Sequence, residues 1–236
     1  MADVYVKHIE NLKAAYATNS GKYKTVPKFH SASGAILTVN SNYWLNPNKA
    51  KRGWFVRNGV ELARYDEKRL LNDFCVLYYD GRMETFESKS FVNDYEAGGL
   101  SLATLADRRP YQVFYFGPAL LDEDGNAKTE FNSSLAKHNP RTVIGFYEPG
   151  HYAFICVLGS REIKNVKSQT VTLKQKPSLG MTLSELSQLC ESLGLQAAYN
   201  LDGGGSSSMM FLDKLYGHNT RAVPDCLSVV EITQSP

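Results

Sequence analysis

The 236-residue chain contains no run approaching the roughly 18 consecutive apolar residues that a membrane-spanning helix requires, so no membrane span is expected. It also lacks a surplus of either charge: 26 Lys and Arg stand against 24 Asp and Glu, a formal net charge of +2. Without a basic excess there is little to replace counterions along a phosphate backbone, and nucleic acid is not an expected partner. The N-terminus, Met1 to His8, has no basic segment followed by an apolar one, so it is not a secretion signal as it stands. The localisation expected is cytoplasmic as encoded, with release by lysis or removal of a leader as the other routes. Cys75, Cys156, Cys190 and Cys226 are scattered with no C-x-x-C pair, which supports neither a zinc site nor a disulfide scaffold. Cys156 in an apolar strand-like run and Cys190 on an apolar helix face are expected to be buried thiols. His8, His30, His138, His151 and His218 show no ligand spacing, and only His218 lies in a segment near the site argued below. Asp122-Glu123-Asp124-Gly125 is too short a ligand series for a calcium loop and reads as a turn. No metal and no cofactor are expected.

What is present suits a globular core, with hydrophobic residues at 43% and charged residues at 21%. With no repeat, low-complexity block or linker, residues 1–236 read as one domain. Strand signals dominate. Ala35 to Val39 is a short apolar run between Gly34 and Asn40, and Trp54 to Leu62 carries an Asn58-Gly59 hairpin turn. Phe74 to Tyr79, Gln112 to Phe116, and Val143 to Leu158 across Pro149-Gly150 extend the pattern, while Leu12 to Ala17 fits either strand or helix. One helix stands out: Thr182-Leu183-Ser184-Glu185 is a capping box, followed by Leu186, Leu189, Cys190 and Leu193 at helical spacing and by Gly194. The expected fold class is α+β, with mixed, largely antiparallel sheets and a few helices around a surface cleft.

That helix leads into an apolar strand, Leu195 to Leu201, and then into Asp202-Gly203-Gly204-Gly205-Ser206-Ser207-Ser208. Three successive glycines are conformationally expensive, and here they are pinned between two apolar strands and preceded by an acid. They would let backbone approach a ligand closely, with N–H groups turned inward as an anion nest and serine hydroxyls beside them. A loose polar loop is the plain alternative. The tract lacks the Gly-Lys-Ser/Thr ending of a P-loop, fails G-x-S-x-G because it ends in serine, and fits no G-x-G-x-x-G.

Asn200-Leu201-Asp202-Gly203-Gly204-Gly205-Ser206-Ser207 resembles the N-L-D-G-G-G-S-S signature of the phosphodiester glycosidase family. Gly180 to Leu186 resembles that family's helix start, Arg141 to Gly145 its R-T-A-x-G strand, and Phe116 to Leu120 its G-P-x-L segment. Val39 to Trp44 sits where the family has I-N-G-G-F-F, with Asn42 in place of a glycine. Asn219 to Pro224 resembles E-R-P-V-P, with Thr220 and Ala222 replacing the acid and the proline. The matches run in order from about residue 35 to about residue 230.

The resemblance implies a hydrolase that cleaves a sugar-1-phosphodiester at the sugar side, giving free sugar and a phosphomonoester. The partner is then a small-molecule or glycan sugar phosphate. A phosphomonoester leaves readily, its second pKa being about 6, so neutralising it with arginine matters more than protonating it. Arg141 and Arg221 are the candidates for the phosphate, and Asp202 for the nucleophile or base at the anomeric carbon. Gly203, Gly204, Gly205, Ser206 and Ser207 would hold further phosphate or sugar oxygens, and Asn40 and Asn200 would wall the sugar hydroxyls. Each has a plainer reading: Asp202 as an Asx turn, Arg141 as an ion-pair partner and Asn40 as a strand-end residue, while Tyr43 and Trp44 read as core aromatics ahead of a sugar-stacking platform. A second carboxylate has three sequence-adjacent candidates, Glu148, Asp213 and Asp225. The alternative function is a non-catalytic module that sequesters phosphorylated sugars or nucleotide-like ligands.

Overall fold

The computed structural model describes residues 1–17, 22–43, 53–159, 179–217 and 221–231, so Trp44, His218, Asn219 and Thr220 lie outside it. In chain order its strands are β1 (Ala2–Tyr5), β2 (Leu12–Tyr16), β3 (Leu37–Asn40), β4 (Trp54–Arg57), β5 (Val60–Arg64), β6 (Phe74–Tyr78) and β7 (Met83–Phe86). They continue with β8 (Pro110–Tyr115), β9 (Arg141–Glu148), β10 (His151–Val157), β11 (Ala197–Asn200), β12 (Ser208–Phe211), β13 (Lys214–Gly217) and β14 (Asp225–Val229). Four α-helices are present among the described residues: α1 (Val26–Ser33), α2 (Ser88–Glu96), α3 (Leu102–Asp107) and α4 (Leu183–Ser192). None is long and apolar enough to cross a membrane.

Among the described residues three sheets form, in the orders β1-β10-β9-β11, β13-β12-β3-β14-β2 and β5-β4-β8-β6-β7, with every pairing antiparallel. The fold is α+β, with antiparallel sheets and a few helices, as the sequence leads one to expect. Residues from all three sheets interdigitate in one core, among them Val39, Leu77, Phe114, Phe154, Tyr199 and Leu227. Around it, α2 and α3 cover the third sheet with Phe91, Leu102 and Leu105, while α4 covers the first with Leu183, Leu186 and Cys190. Each fully buried side chain of that size contributes about 1.5–3 kcal/mol. Cys75, Cys190 and Cys226 are buried free thiols, and burial pushes the Cys190 thiol up to about 12.

Local chemistry explains the elements nearest the site. The β4–β5 hairpin turns at Asn58 and Gly59, both with positive φ (53° and 77°), as a two-residue turn demands. The α4 capping box forms as read: Thr182 Oγ1 accepts from Glu185 N at 3.1 Å and Glu185 Oε2 from Thr182 N at 2.8 Å. Gly194 follows the helix at φ 74°. The chain then enters β11, which pairs with β9 and delivers Asp202 to the sheet's end, beside Arg141 at the start of β9. Leu12 to Tyr16 resolves as strand, because β2 is drawn onto the edge of β14.

Candidate active site

The glycine corner lies at one end of the β9–β11 pair, where β3 and β14 also terminate. A cleft of about 370 Å³ opens there, lined by Tyr43, Phe116, Leu135, Asn139, Pro140, Arg141, Asn200, Asp202, Gly203, Gly204 and Arg221. Six of the residues expected from sequence therefore share one cavity: Asp202, Arg141, Arg221, Asn200, Gly203 and Gly204. Asn40, Gly205, Ser206 and Ser207 do not line it.

Asp202 is 5% exposed, with its backbone held on both sides. Its N–H donates to Ser41 O at 2.9 Å, and its carbonyl accepts from Asn40 Nδ2 at 2.6 Å. Gly203 N–H donates to its carboxylate Oδ1 at 2.9 Å. Burial pushes the Asp202 carboxyl above the ordinary range. The Ser206 hydroxyl beside it (outside good hydrogen-bond geometry), the Arg221 charge and the Gly203 N–H pull it down, while the buried Asp225 charge pushes it further up. A carboxyl raised in the fold keeps its proton to higher pH than in the unfolded chain. Its stability contribution is therefore lost as pH climbs from the unfolded value through the folded one. Asp202→Asn, which retains an acceptor for Gly203, is expected to melt above wild type at neutral pH. The gap should close as pH falls below the unfolded carboxylate range; a lower Tm at neutral pH would contradict the assignment.

Arg141 is 3% exposed and tied down by three backbone carbonyls. Nε donates to Met181 O at 3.0 Å, and Nη2 to Leu135 O at 2.7 Å and Lys137 O at 2.6 Å. Burial lowers its proton affinity, and the carbonyl dipoles compensate the charge. The result is a fixed cation in the cleft wall, whose hydrogen bonds to described residues run through Nε and Nη2. Arg221 is the opposite case: its exposed guanidinium stacks over the Tyr43 ring, 4.8 Å from the centroid. Tyr43 in turn packs near Phe116, at 6.2 Å between centroids, giving the cleft an aromatic side.

Asn200 is fixed by Nδ2 to Gly117 O (2.9 Å), and its N–H donates to Pro118 O (3.0 Å). Its Oδ1 is buried with no hydrogen-bond partner. A buried acceptor left unpaired costs about 1–3 kcal/mol, so a polar atom in this position calls for a ligand or a water. Asn40 is placed differently. Its Nδ2 holds the Asp202 carbonyl, and its Oδ1 accepts from Thr142 Oγ1 (2.7 Å) and Ser208 N (3.1 Å), so its amide braces both ends of the corner.

The corner's N–H groups are directed at protein. Gly204 N donates to Pro140 O at 2.9 Å, and Ser206 N and Ser207 N close a short 3-10 turn on Gly203 O and Gly204 O, each at 3.2 Å. Of the anion nest expected over Gly203 to Gly205, the Gly203 and Gly204 N–H groups are taken by internal bonds, while Arg141 and Arg221 bring positive charge to the cleft. The glycines have separate reasons. Gly204 sits at φ 63°, and a Cβ on Gly203 would stand 2.6 Å from Pro140 O. Gly203→Ala is expected to displace Asp202 or Pro140, with a loss of stability of about 1–3 kcal/mol by overpacking. Equilibrium urea unfolding would check this, and an unchanged midpoint would refute the close contact.

Segment 135–140, which supplies two of Arg141's carbonyl partners and the acceptor for Gly204, was not singled out in the sequence. Its one signal is adjacency to Arg141 through Pro140. Of the three second-carboxylate candidates, Glu148 and Asp213 are exposed and line no part of the cleft, whereas Asp225 is fully buried behind Asp202.

With this geometry in hand, the similarities are informative. Residues 33–230 match the phosphodiester glycosidase family. The chain belongs to that family. It is similar to the SPbeta prophage-derived uncharacterized protein YomE of Bacillus subtilis, at 25% identity over 233 residues. That alignment takes in 95% of this chain but 32% of YomE, so the chain spans about a third of that relative's length. Among solved structures, the auto-inhibited catalytic domain of zebrafish N-acetylglucosamine-1-phosphodiester alpha-N-acetylglucosaminidase matches with a TM-score of 0.64 at 16% identity. The match covers 94% of this chain and 73% of that one. A hypothetical protein from Synechocystis matches with a TM-score of 0.52 at 14% identity, over 92% of this chain and 56% of the other. Identities this low show a shared fold. The family match and the shared fold together place the chain in the phosphodiester glycosidase family, with a prophage-derived relative.

Proposed function

We propose that this family member hydrolyses a sugar-1-phosphodiester at the sugar side, releasing free sugar and a phosphomonoester. The observation that carries the reading is the meeting of one buried carboxyl, Asp202, with two guanidinium groups, Arg141 and Arg221, in a single cleft. A diester anion needs cationic donors, and a planar guanidinium suits two phosphate oxygens at once. Arg141, already locked on carbonyls, offers a charge that need not reorganise as the phosphate gains negative character. Arg221, exposed and stacked on Tyr43, is the guanidinium able to adjust to the incoming diester.

Asp202 is then the group that acts at the anomeric carbon. As nucleophile it forms a C–O bond to the sugar while the sugar–phosphate C–O bond breaks, its electron pair leaving on the phosphate oxygen. Water subsequently cleaves the glycosyl ester. As general base it would instead take a proton from the attacking water. Both routes need the carboxylate form, so turnover should fall as pH drops through the raised Asp202 titration. Asn200, Phe116 and Tyr43 line the cleft, where an amide suits sugar hydroxyls and the two rings suit the apolar face of a pyranose.

The test is incubation with an N-acetylglucosamine-1-phosphate diester, followed by phosphorus NMR. A growing phosphomonoester resonance supports the proposal. Specific binding by calorimetry without turnover would favour a module that sequesters sugar phosphates.

A further inference from the structure

We propose that Asp225, kept ionised by Arg57, is a second carboxylate of this site, acting on Asp202 through the protein and never on the substrate. The inference rests on the role proposed for Asp202. Both partners of the pair are fully buried. Arg57 Nε and Nη2 donate to Asp225 Oδ2 at 2.8 and 2.6 Å, while Asn42 N–H donates to Oδ1 at 2.7 Å. The guanidinium is completed by the carbonyls of Val56 and Val113 and lies 4.9 Å from the Phe114 ring centroid. Burial pushes the Asp225 carboxyl up, and the Arg57 charge and its hydrogen bonds, with the Asn42 N–H, pull it back toward the anion.

The connection to Asp202 runs along backbone. Ser41 N–H donates to Asp225 O at 3.3 Å, and Ser41 O accepts the Asp202 N–H at 2.9 Å. Asp225 therefore grips the two-residue segment Ser41–Asn42 from one side, and that segment fixes Asp202 from the other. The charged groups facing Asp202 are Arg221 ahead of β14, Arg141 on β9 and Asp225 on β14, with Arg57 on β4 behind Asp225. Burial is the main reason Asp202 holds its proton tightly, and the Asp225 charge adds to it against the pull of the Arg221 charge. Beside a phosphate-binding cation, the added negative charge keeps the buried Asp202 carboxylate a stronger base and nucleophile. Asp225 is thus a positioning residue that sets basicity.

The test is ligand-free carbon NMR titration of the labelled Asp carboxyls, which does not depend on any substrate being turned over. In wild type, Asp225 is expected to remain ionised across the Asp202 transition; protonation of Asp225 at higher pH than Asp202 would overturn the proposal without any variant. Arg57→Gln combined with Asp225→Asn removes both charges while leaving no uncompensated one. In this variant the Asp202 transition is expected to move to lower pH, whereas Arg57→Lys leaves it in place. An Asp202 transition unmoved in the neutral pair would equally refute the inference. If the titration behaves as expected but the diester is not cleaved, the proposed reaction fails and the coupling stands.

Discussion

Asp202→Asn is expected to lower kcat for a sugar-1-phosphodiester by about 10³-fold or more, with KM changed only a few-fold. The asymmetry follows from the geometry. The groups that would hold the ground-state diester have contacts other than Asp202: Arg141 and Asn200 are anchored on carbonyls, and the exposed Arg221 stacks on the Tyr43 ring. An amide at position 202 keeps the acceptor for Gly203 N–H and so leaves the corner intact, while deleting the charge that acts at the anomeric carbon. A variant with near-wild-type kcat would remove Asp202 from the chemistry. A variant with unchanged kcat and much raised KM would make it a binding residue.

Arg57→Ala is expected to destabilise the fold by about 3–5 kcal/mol, because it leaves the Asp225 carboxylate buried without its cation. Against a typical total of about 5–15 kcal/mol, that is a large share. The loss should appear as a lower urea midpoint with little change in slope. The neutral pair Arg57→Gln with Asp225→Asn should be much milder than the single change, since breaking a buried pair costs more than replacing it. Equal losses in the single and paired variants would show that the ion pair is not what the substitution disrupts.

How much of this was legible in the sequence depends on sequence distance. Asp202, the glycines and Asn200 lie together between residues 200 and 205, and the ten-residue α4 announces itself through the Thr182–Glu185 capping box at its start. Placing them at one sheet end needs no long-range information beyond the pairing of β11 with β9. Arg57 stands at the other extreme. It sits beside an ordinary Asn-Gly turn, and its partner is 168 residues away, so nothing local distinguishes it from a surface arginine. Asp225 was one of three equivalent acids until burial separated it from Glu148 and Asp213.

The missed helices have similar causes. In α1, Pro27 and the β-branched Val26 mask a helix that starts with proline in its first turn, where proline is tolerated. Ser101 caps α3 with Thr104 in place of the usual Glu or Gln, so the capping box goes unread. Asn40 illustrates the remaining gap. Its residue type suits a sugar-binding wall, but three partners on β11's far end, β9 and β12 claim its amide. The glycine corner's N–H groups follow the same logic, since only the fold reveals that Pro140 and the corner itself accept them.

The most direct measurement is hydrolysis of the diester in water enriched with heavy oxygen, read by mass spectrometry of the sugar and phosphorus NMR of the phosphomonoester. Cleavage at the sugar side predicts the label in the released sugar and an unlabelled phosphomonoester. Label in the phosphate would place the attack at phosphorus and contradict the role given to Asp202.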